Sequence, residues 1–575
     1  MHKIFSSKPG WFYLLIVLLL VNILASFWPL RFDLTNEKRY TLSAPVKQML
    51  QHIHDEVNID IYLQGNLKSG LRKLSNSTEA LLQEFNDYAD GNIHYRFVDP
   101  VAGGDDTTRA MMLDSLSRMG IQPMTMVAQA KKGDEQSQRV VIPAAMVKYK
   151  DKVFPVDLLK GVQRSREGQP PEQLYVNAET LLEYKFAHAI DKLVRDTLPA
   201  VGYLMGNGEP LDFRVYGLIQ YLRENFRFGI VRLDSVPVIP AQLNALIMVK
   251  PSIKFSDDEK RKLDQFVLRG GSLICMIDNL YAESDSLKMS KEVIAYDRGL
   301  NLDDLLFHFG VRINQDLIED MQNASINLVV GGLGGKPQFQ LMPWPYYPLL
   351  DGNPSNPISK NLDPVFSRFA NSIDTVKAPG IQKSILLQSS PNARTVSTPA
   401  MITLESTKTA SDPKAFNQQN IPVAVLLEGK FSSLYANRIS PAMEDSLDKI
   451  YHQPFLRSGD KTARVIVCAD ADVVMNELSE RGPLPLGFNK DINYTFANLD
   501  FLENCLDYCV HPSGILEARS KEYTLRLLDP EKTAENRTFW QIVNIAGPLL
   551  VILLCGVIFQ FIRKRKYSTG LQKIN

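Results

Sequence analysis

Residues 256–277 read SDDEKRKLDQFVLRGGSLICMI, and the fold class follows from them. Ser256 stands just before a helical stretch and Glu259 three residues later. That spacing is a capping box, in which each side chain serves the other's backbone N–H. The helix spans Asp257 to Arg269, Gly270-Gly271 closes it, and Ser272 to Ile277 is a short apolar strand. The alternation continues on both sides. Val201 to Met205, Gly229 to Leu233 and Leu243 to Val249 read as strands, and Arg214 to Phe226 as a helix. Ile421 to Leu427 and Ala463 to Cys468 supply later strands of the same sheet. Strands alternating with helices predict a parallel, doubly wound α/β sheet, here over residues 199–515. Residues of about 315–415 are rich in Pro, Gly, Asn and Ser, and read as β-hairpins and long loops inserted into that domain.

Upstream lies a smaller module, residues 31–165. Val57 to Leu63 alternates and predicts a strand. Leu71, Leu74, Leu81, Leu82 and Phe85 have helical spacing. Ile93 to Val98 is a second strand, Asp106 to Met119 a second helix, and Met124 to Ala130 a third strand. Gln138 to Leu159 follows as a hairpin around Lys150-Asp151. The order βαβαββ is that of a thioredoxin-like domain. Redox cysteines would follow its first strand, but Gln64-Gly65-Asn66-Leu67-Lys68 stands there, which excludes dithiol chemistry. Residues 166–198 read as a linker, Glu167 to Glu172, and an amphipathic helix from Asn177 to Arg195.

An apolar span closes each end of the chain. The first covers residues 11–30 after a 1–10 tail; the second covers 539–562, after a juxtamembrane segment 516–538 and before a basic tail 563–575. Twenty apolar residues at about 1.5 Å each cross one hydrocarbon core. No A-x-A-like cleavage site follows the first span, so it reads as an uncleaved anchor. Lys3 and Lys8 precede it, and Arg563-Lys564-Arg565-Lys566 follow the second. The positive-inside rule then predicts both termini in the cytoplasm and the large domain in the periplasm of an inner membrane. Asn22 in the first span, and Asn544, Gly547 and Gly556 in the second, suit helices that dock on a membrane partner. Tolerated polar residues near an interface are the alternative.

Much chemistry is excluded. Lys plus Arg and Asp plus Glu are 64 each, so no global field attracts nucleic acid. Gly331-Gly332-Leu333-Gly334-Gly335-Lys336-Pro337 imitates a nucleotide loop, but its glycine spacing is short and Pro337 replaces the magnesium-binding hydroxyl. His52 and His54 have no zinc-like partner pair. Cys275 and Cys468 lie inside apolar runs. Cys505 and Cys509 are one helical turn apart, either a disulfide or two buried apolar side chains. No cofactor is implied. One constellation remains. Ligands of open α/β sheets bind beyond the carboxyl ends of the strands. Glu209, Asp278, Asp470 and Asp472 are the acids at those ends, with Asn207, Gly208 and Asn279 beside them. Converging carboxylates would hold a cation or a hydroxylated ligand; otherwise they cap helices or solvate loops.

Several segments together resemble GldG, the auxiliary-subunit family of the gliding-motility ABC transporter of Bacteroidetes. They are Arg31 to Ser43, RFDLTNEKRYTLS; the strand ending Phe97-Val98-Asp99-Pro100; Val425 to Phe431, VLLEGKF; Arg464 to Val467 with Asp470-Ala471-Asp472; and Ala518 to Tyr523 with Arg526 to Pro530. The resemblance implies an extracytoplasmic, non-enzymatic component working with a separate ABC permease and a cytoplasmic ATPase. It also implies a central domain like a class I glutamine amidotransferase without the catalytic residues. Two other readings stand beside it. One is a membrane-tethered solute-binding receptor, with Trp344, Tyr346 and Tyr347 as an apolar wall. The other is a degenerate amidotransferase or hydrolase.

Overall fold

The computed structural model describes residues 15–20, 41–65, 67–100, 105–119, 121, 123–127, 138–159, 171–195, 197–333, 336–404, 412–510, 514–520 and 537–568. Two compact units are present, Met1–Tyr523 and Thr524–Asn575. The expected first span, and Asn22 within it, lie outside the described residues apart from 15–20, which are helical.

The N-terminal part of the first unit comprises α1 (Ala44–Gln51), β1 (Val57–Ile61), α2 (Ser69–Tyr88), β2 (Ile93–Phe97), α3 (Asp106–Arg118), β3 (Met124–Val127), β4 (Gln138–Val141), β5 (Ala144–Tyr149), β6 (Lys152–Asp157) and α4 (Pro171–Val194). Its sheet has the order β2-β1-β5-β6, parallel between β1 and β2 and antiparallel elsewhere. Val57, Ile59 and Ile61 alternate into the core against Leu71, Leu74, Leu82 and Phe85 of α2. Two expectations change. Met124–Val127 does not enter this sheet but pairs with Gln138–Val141 as a separate hairpin. And α4 starts at Pro171, not Asn177. Proline at a first helical position loses no hydrogen bond, because that N–H has no intrahelical acceptor. The apolar face of the helix is core: Leu181, Leu182, Phe186 and Ile190 are buried in the N-terminal core, which Ile515 and Ala518 also enter.

The central part contains β7 (Ala200–Met205), α5 (Tyr216–Asn225), β8 (Arg227–Arg232), β9 (Ala245–Val249), α6 (Asp257–Leu268), β10 (Ser272–Met276), β11 (Asn323–Leu333), β12 (Lys336–Gly352), β13 (Ile381–Gln388), β14 (Pro422–Gly429), β15 (Ala463–Cys468) and α7 (Asn498–Val510). Five strands run parallel in the order β8-β7-β9-β10-β15. β9 and β10 are buried at every residue, as expected of strands covered on both faces. Val201, Tyr203, Ile247, Ile274 and Ile466 pack under α5 and α7. Leu246, Met248, Leu273, Cys275 and Val465 point the other way, under α6. The capping box of α6 is formed: Glu259 N donates to Ser256 Oγ at 3.3 Å and Ser256 N to Glu259 Oε2 at 2.7 Å.

Beyond β15 the sheet turns antiparallel. β14, β13, β12 and β11 add in turn, each antiparallel to its neighbour. Part of the inserted region thus extends the sheet, while Asp316–Asp320 and Ala393–Ser397 pair separately, and the strand expected over Ile421 to Leu427 is the first antiparallel member of the extension. The described residues of the glycine-rich segment lie in the β11–β12 ribbon, where Gly332 pairs with Pro337 and Leu333 with Lys336. A phosphate-cradling loop instead joins a strand to a helix. Trp344, Tyr346, Tyr347, Phe366 and Phe369 form a satellite core beneath this extension.

The second unit is described over α8 (Arg537–Ser568). Its stretch Thr538–Arg565 has 28 residues, and an 18-residue window within it has a mean hydropathy of 2.6, so it is long and apolar enough to cross a membrane. Asn544 is exposed on it, Pro548 lies inside it, and a Cβ added at Gly547 or Gly556 meets nothing within 4 Å among the described residues.

Candidate functional site

The carboxyl ends of β9, β10 and β15 meet at one lysine. Lys250 directly follows β9, with its backbone in the left-handed region (φ 47°). Its N–H donates to the carbonyl of Met276 at 2.8 Å, which anchors it over the end of β10. Its ammonium is buried and meets three carboxylates: Asp278 Oδ2 at 2.8 Å, Asp472 Oδ1 at 3.0 Å and Glu283 Oε2 at 3.1 Å. An ammonium has three N–H donors, so this set satisfies it. Arg298 pairs with the other oxygen of Glu283.

Asp470 lies one layer deeper. Its Oδ2 accepts from Arg368 N at 2.7 Å and its Oδ1 from Asp472 N at 2.8 Å. Asp278 Oδ1 accepts from Ala471 N at 2.6 Å. The loop after β15 is thereby stitched to the loop after β10. Burial opposes the charge on Lys250, but Asp278, Asp472 and Glu283 outweigh it and hold the lysine well above its ordinary range. Burial also opposes ionisation of Asp472, yet Lys250 and Arg368 keep its carboxyl low. Asp470 goes the other way: burial, then the charges of Asp472 and Asp278, push it well up.

Three of the four rim acids therefore converge, and Glu209 does not join them. Glu209 Oε2 turns back onto Asn207 N at 2.8 Å, while Asn207 Nδ2 donates to Glu259 Oε2 at 3.3 Å. With its Oε2 engaged inside its own loop, Glu209 is held away from the Lys250 cluster. The cation that Asp278 and Asp472 hold is the protein's own Lys250, while Asp470 is bonded to backbone N–H groups. No group of three or more His, Cys, Asp or Glu is placed for a metal among the described residues. Lys250 carried no motif, since a lone lysine at a strand end has no pattern.

Arg368 links this rim to a cavity of about 250 Å³ walled by Trp344, Tyr347, Ile326 and Leu328, with Glu477, Lys490 and Asp491 at its polar side. Arg368 Nη2 and Lys490 Nζ both reach Glu477, at 3.2 and 2.9 Å. The guanidinium lies over the rings of Phe366 and Tyr347 at 4.9 and 5.6 Å. Trp344 Nε1 and Arg368 Nε are buried without a hydrogen-bond partner among the described residues.

Residues 198–505, more than half of the chain, match the family described as ABC-type uncharacterized transport system. The chain belongs to that family. Membership associates it with ABC transport, and α8 is consistent with a place at a membrane. Residues 36–148 match a domain of unknown function, DUF7088. An uncharacterized protein of Borreliella burgdorferi is 21% identical over 573 residues, which is 96% of each chain. Among solved structures, the IFT52 N-terminal domain aligns with 54% of this chain and 97% of its own, at 12% identity and a TM-score of 0.30. A ThuA-like protein from Parabacteroides merdae aligns over 55% and 90%, at 11% identity and a TM-score of 0.25.

A second titratable cluster joins α4 to α7. His188 Nδ1 lies 3.3 Å from Asp507 Oδ2, and Tyr184 donates to Asn504 Oδ1 at 3.3 Å. Burial pushes Asp507 up to about 7, against Lys192 and Arg195 and with Glu503 and Asp191. An unfolded Asp titrates near about 3.9, so the native state binds this proton more tightly. The stabilisation is full below that pH and is lost as pH rises through about 7. Asp507→Asn removes the titration. We expect it to equal the parent at pH 4 and exceed it by about 1–3 kcal/mol at pH 8. Denaturant midpoints at both pH values check this; equal offsets at the two would contradict it.

Proposed function

We propose that the chain is a non-enzymatic, membrane-anchored auxiliary subunit of an ABC transporter. In this reading it holds its large unit in the periplasm and docks on a permease through two helices, the first over residues 11–30. The energy comes from the ATPase bound to that permease. One observation supports this above the others. In a member of a transport-system family, the rim where an α/β sheet ordinarily takes its ligand is sealed by Lys250. The cysteines argue the same way. Burial pushes Cys275 and Cys509 up to about 12, and raises Cys468 and Cys505 as well, so none of the four is a poised nucleophile. This speaks against the degenerate amidotransferase or hydrolase reading. The thioredoxin-like reading of the N-terminal module draws support from its β2-β1-β5-β6 order, and the amidotransferase-like reading of the centre from its five parallel strands. The resemblance to GldG extends the proposal to a transporter that serves gliding motility in a Bacteroidetes-type inner membrane.

The test replaces both spans with unrelated leucine-rich helices. We expect the permease to be lost from pull-downs of that chain, and Asn22→Leu with Gly556→Leu to weaken recovery without abolishing it. Single interhelical hydrogen bonds contribute only about 0.6 kcal/mol on average. Full recovery after the span swap would move recognition to the periplasmic unit. The purified chain alone should turn over no ATP.

The cavity beside Arg368 favours a second reading, a tethered receptor. Two buried donors without partners, Trp344 Nε1 and Arg368 Nε, belong to its walls. A solute bearing acceptors would satisfy them and raise the unfolding midpoint in a thermal-shift screen. Silence across sugars, amino acids and nucleosides would retire this reading.

A further inference from the structure

The opposite edge of the parallel sheet carries a larger opening. A cavity of about 550 Å³ lies at the amino ends of the strands, bordered by Asn244 before β9, Gly270-Gly271 before β10 and Lys461 before β15. Its lining is chemically split. Arg261, Lys262, Arg269 and Lys461 face a single lining acid, Asp460. Ile239, Leu243, Phe266, Leu447 and Leu456 supply an apolar wall.

The cations are only partly neutralised by their neighbours. Arg261 and Lys262 share one carboxylate, Asp258, at 2.6 and 2.7 Å. Arg269 is bonded to carbonyl oxygens: those of Gln265 at 3.0 Å, Gln453 at 3.1 Å and Pro454 at 2.8 Å. Carbonyls satisfy its N–H groups and leave its charge in place. Burial first, and then the charge of Arg261, make that guanidinium easier to deprotonate than usual, with the charge of Asp264 opposing them. Asp264, on the same helix, is turned away onto Ser433 Oγ at 2.7 Å and Leu434 N at 3.0 Å. The stem of Lys461 packs where a Cβ on Gly270 would stand, at 3.1 Å, so the glycine makes room for the lysine at the cavity's edge.

We propose that this cavity binds a small amphiphilic anion, an oxyanion head on an apolar body. The head would sit among Arg261, Arg269 and Lys461, and the body against Leu243, Phe266 and Leu447. Charge complementarity selects the head, and removal of apolar surface from water holds the body. The inference rests on this cavity alone and is independent of the transporter reading.

Two sources offer this chemistry, a soluble organic phosphate and a lysolipid. The full chain in phosphatidylcholine nanodiscs is titrated separately with phenyl phosphate and with lysophosphatidic acid. Inorganic phosphate and phenyl glucoside serve as head-only and body-only probes. We expect at least one of the first two to bind saturably, and both partial probes to bind about tenfold more weakly or worse. Whichever binds identifies the source. Lys461 is exposed, so Lys461→Glu should leave the unliganded unfolding midpoint unchanged. Reversing a partly screened charge near the head should weaken binding about tenfold or more, and Lys461→Arg should retain it. Binding of neither amphiphile, or binding that Lys461→Glu leaves intact, would overturn the proposal.

Discussion

Lys250→Met is expected to cost about 3–5 kcal/mol of stability, because removing one partner of a buried ion cluster strands the others. The stranded groups would be Asp278 and Asp472, 2.8 and 3.0 Å from the ammonium, while Glu283 keeps its pairing with Arg298. Methionine fills the volume of the stem, so the loss reports charge and not packing. The rescue is as informative as the loss. Adding Asp278→Asn to Lys250→Met should recover part of the stability, since it removes one of the uncompensated charges. Guanidinium midpoints of the detergent-solubilised full chain measure both. A cost below about 1 kcal/mol would place this cluster among ordinary surface ion pairs.

Trp344→Ala should be as damaging but more local. The indole is 1% exposed and lies 4.7 Å from the Tyr347 ring, 5.7 Å from Phe369 and 5.9 Å from Tyr346, centroid to centroid. Truncating a buried tryptophan costs about 3–5 kcal/mol through lost transfer energy and the cavity left behind. The residue belongs to the satellite core under the antiparallel extension, separate from the cores of the parallel strands. Hydrogen exchange should therefore rise in β11 and β12 while β9 and β10 stay protected. Uniform loss of protection would mean that the extension and the parallel strands unfold together. Trp344→Phe should cost less, since the indole N–H has no partner to lose.

The parallel half of the sheet was legible because burial on both faces leaves continuous apolar runs, as in Ser272–Met276 and Ala245–Val249. The capping box at Ser256 and Glu259 fixed the start of α6. The antiparallel extension was not legible as one sheet. Its strands alternate and carry Pro and Gly, as in Lys336–Gly352, and local pattern does not say which neighbour a strand pairs with. The start of α4 was hidden because Pro170-Pro171 reads equally as a linker or as a helix entry. The convergence of Asp278, Asp470 and Asp472 was foreseeable, since they follow adjacent parallel strands. The separation of Glu209 was not, because it depends on a bond to Asn207 N within its own loop. Lys250 supplies the charge that decides the character of the rim, and it is the member that no spacing rule marks. The anion cavity is equally silent in sequence: Arg269 and Lys461 are 192 positions apart and meet only because β10 and β15 are neighbours.

The central claim is that this chain works as a subunit of an ABC transporter. The direct measurement is gentle solubilisation of native membranes, purification through a tag on the full chain, and mass spectrometry of what comes with it. The account predicts one multi-span permease and one cytoplasmic ATPase, both recovered in constant ratio to the chain and both lost when its two spans are exchanged for leucine-rich helices. Recovery of the chain without any transporter component, from membranes that contain the permease, would contradict it.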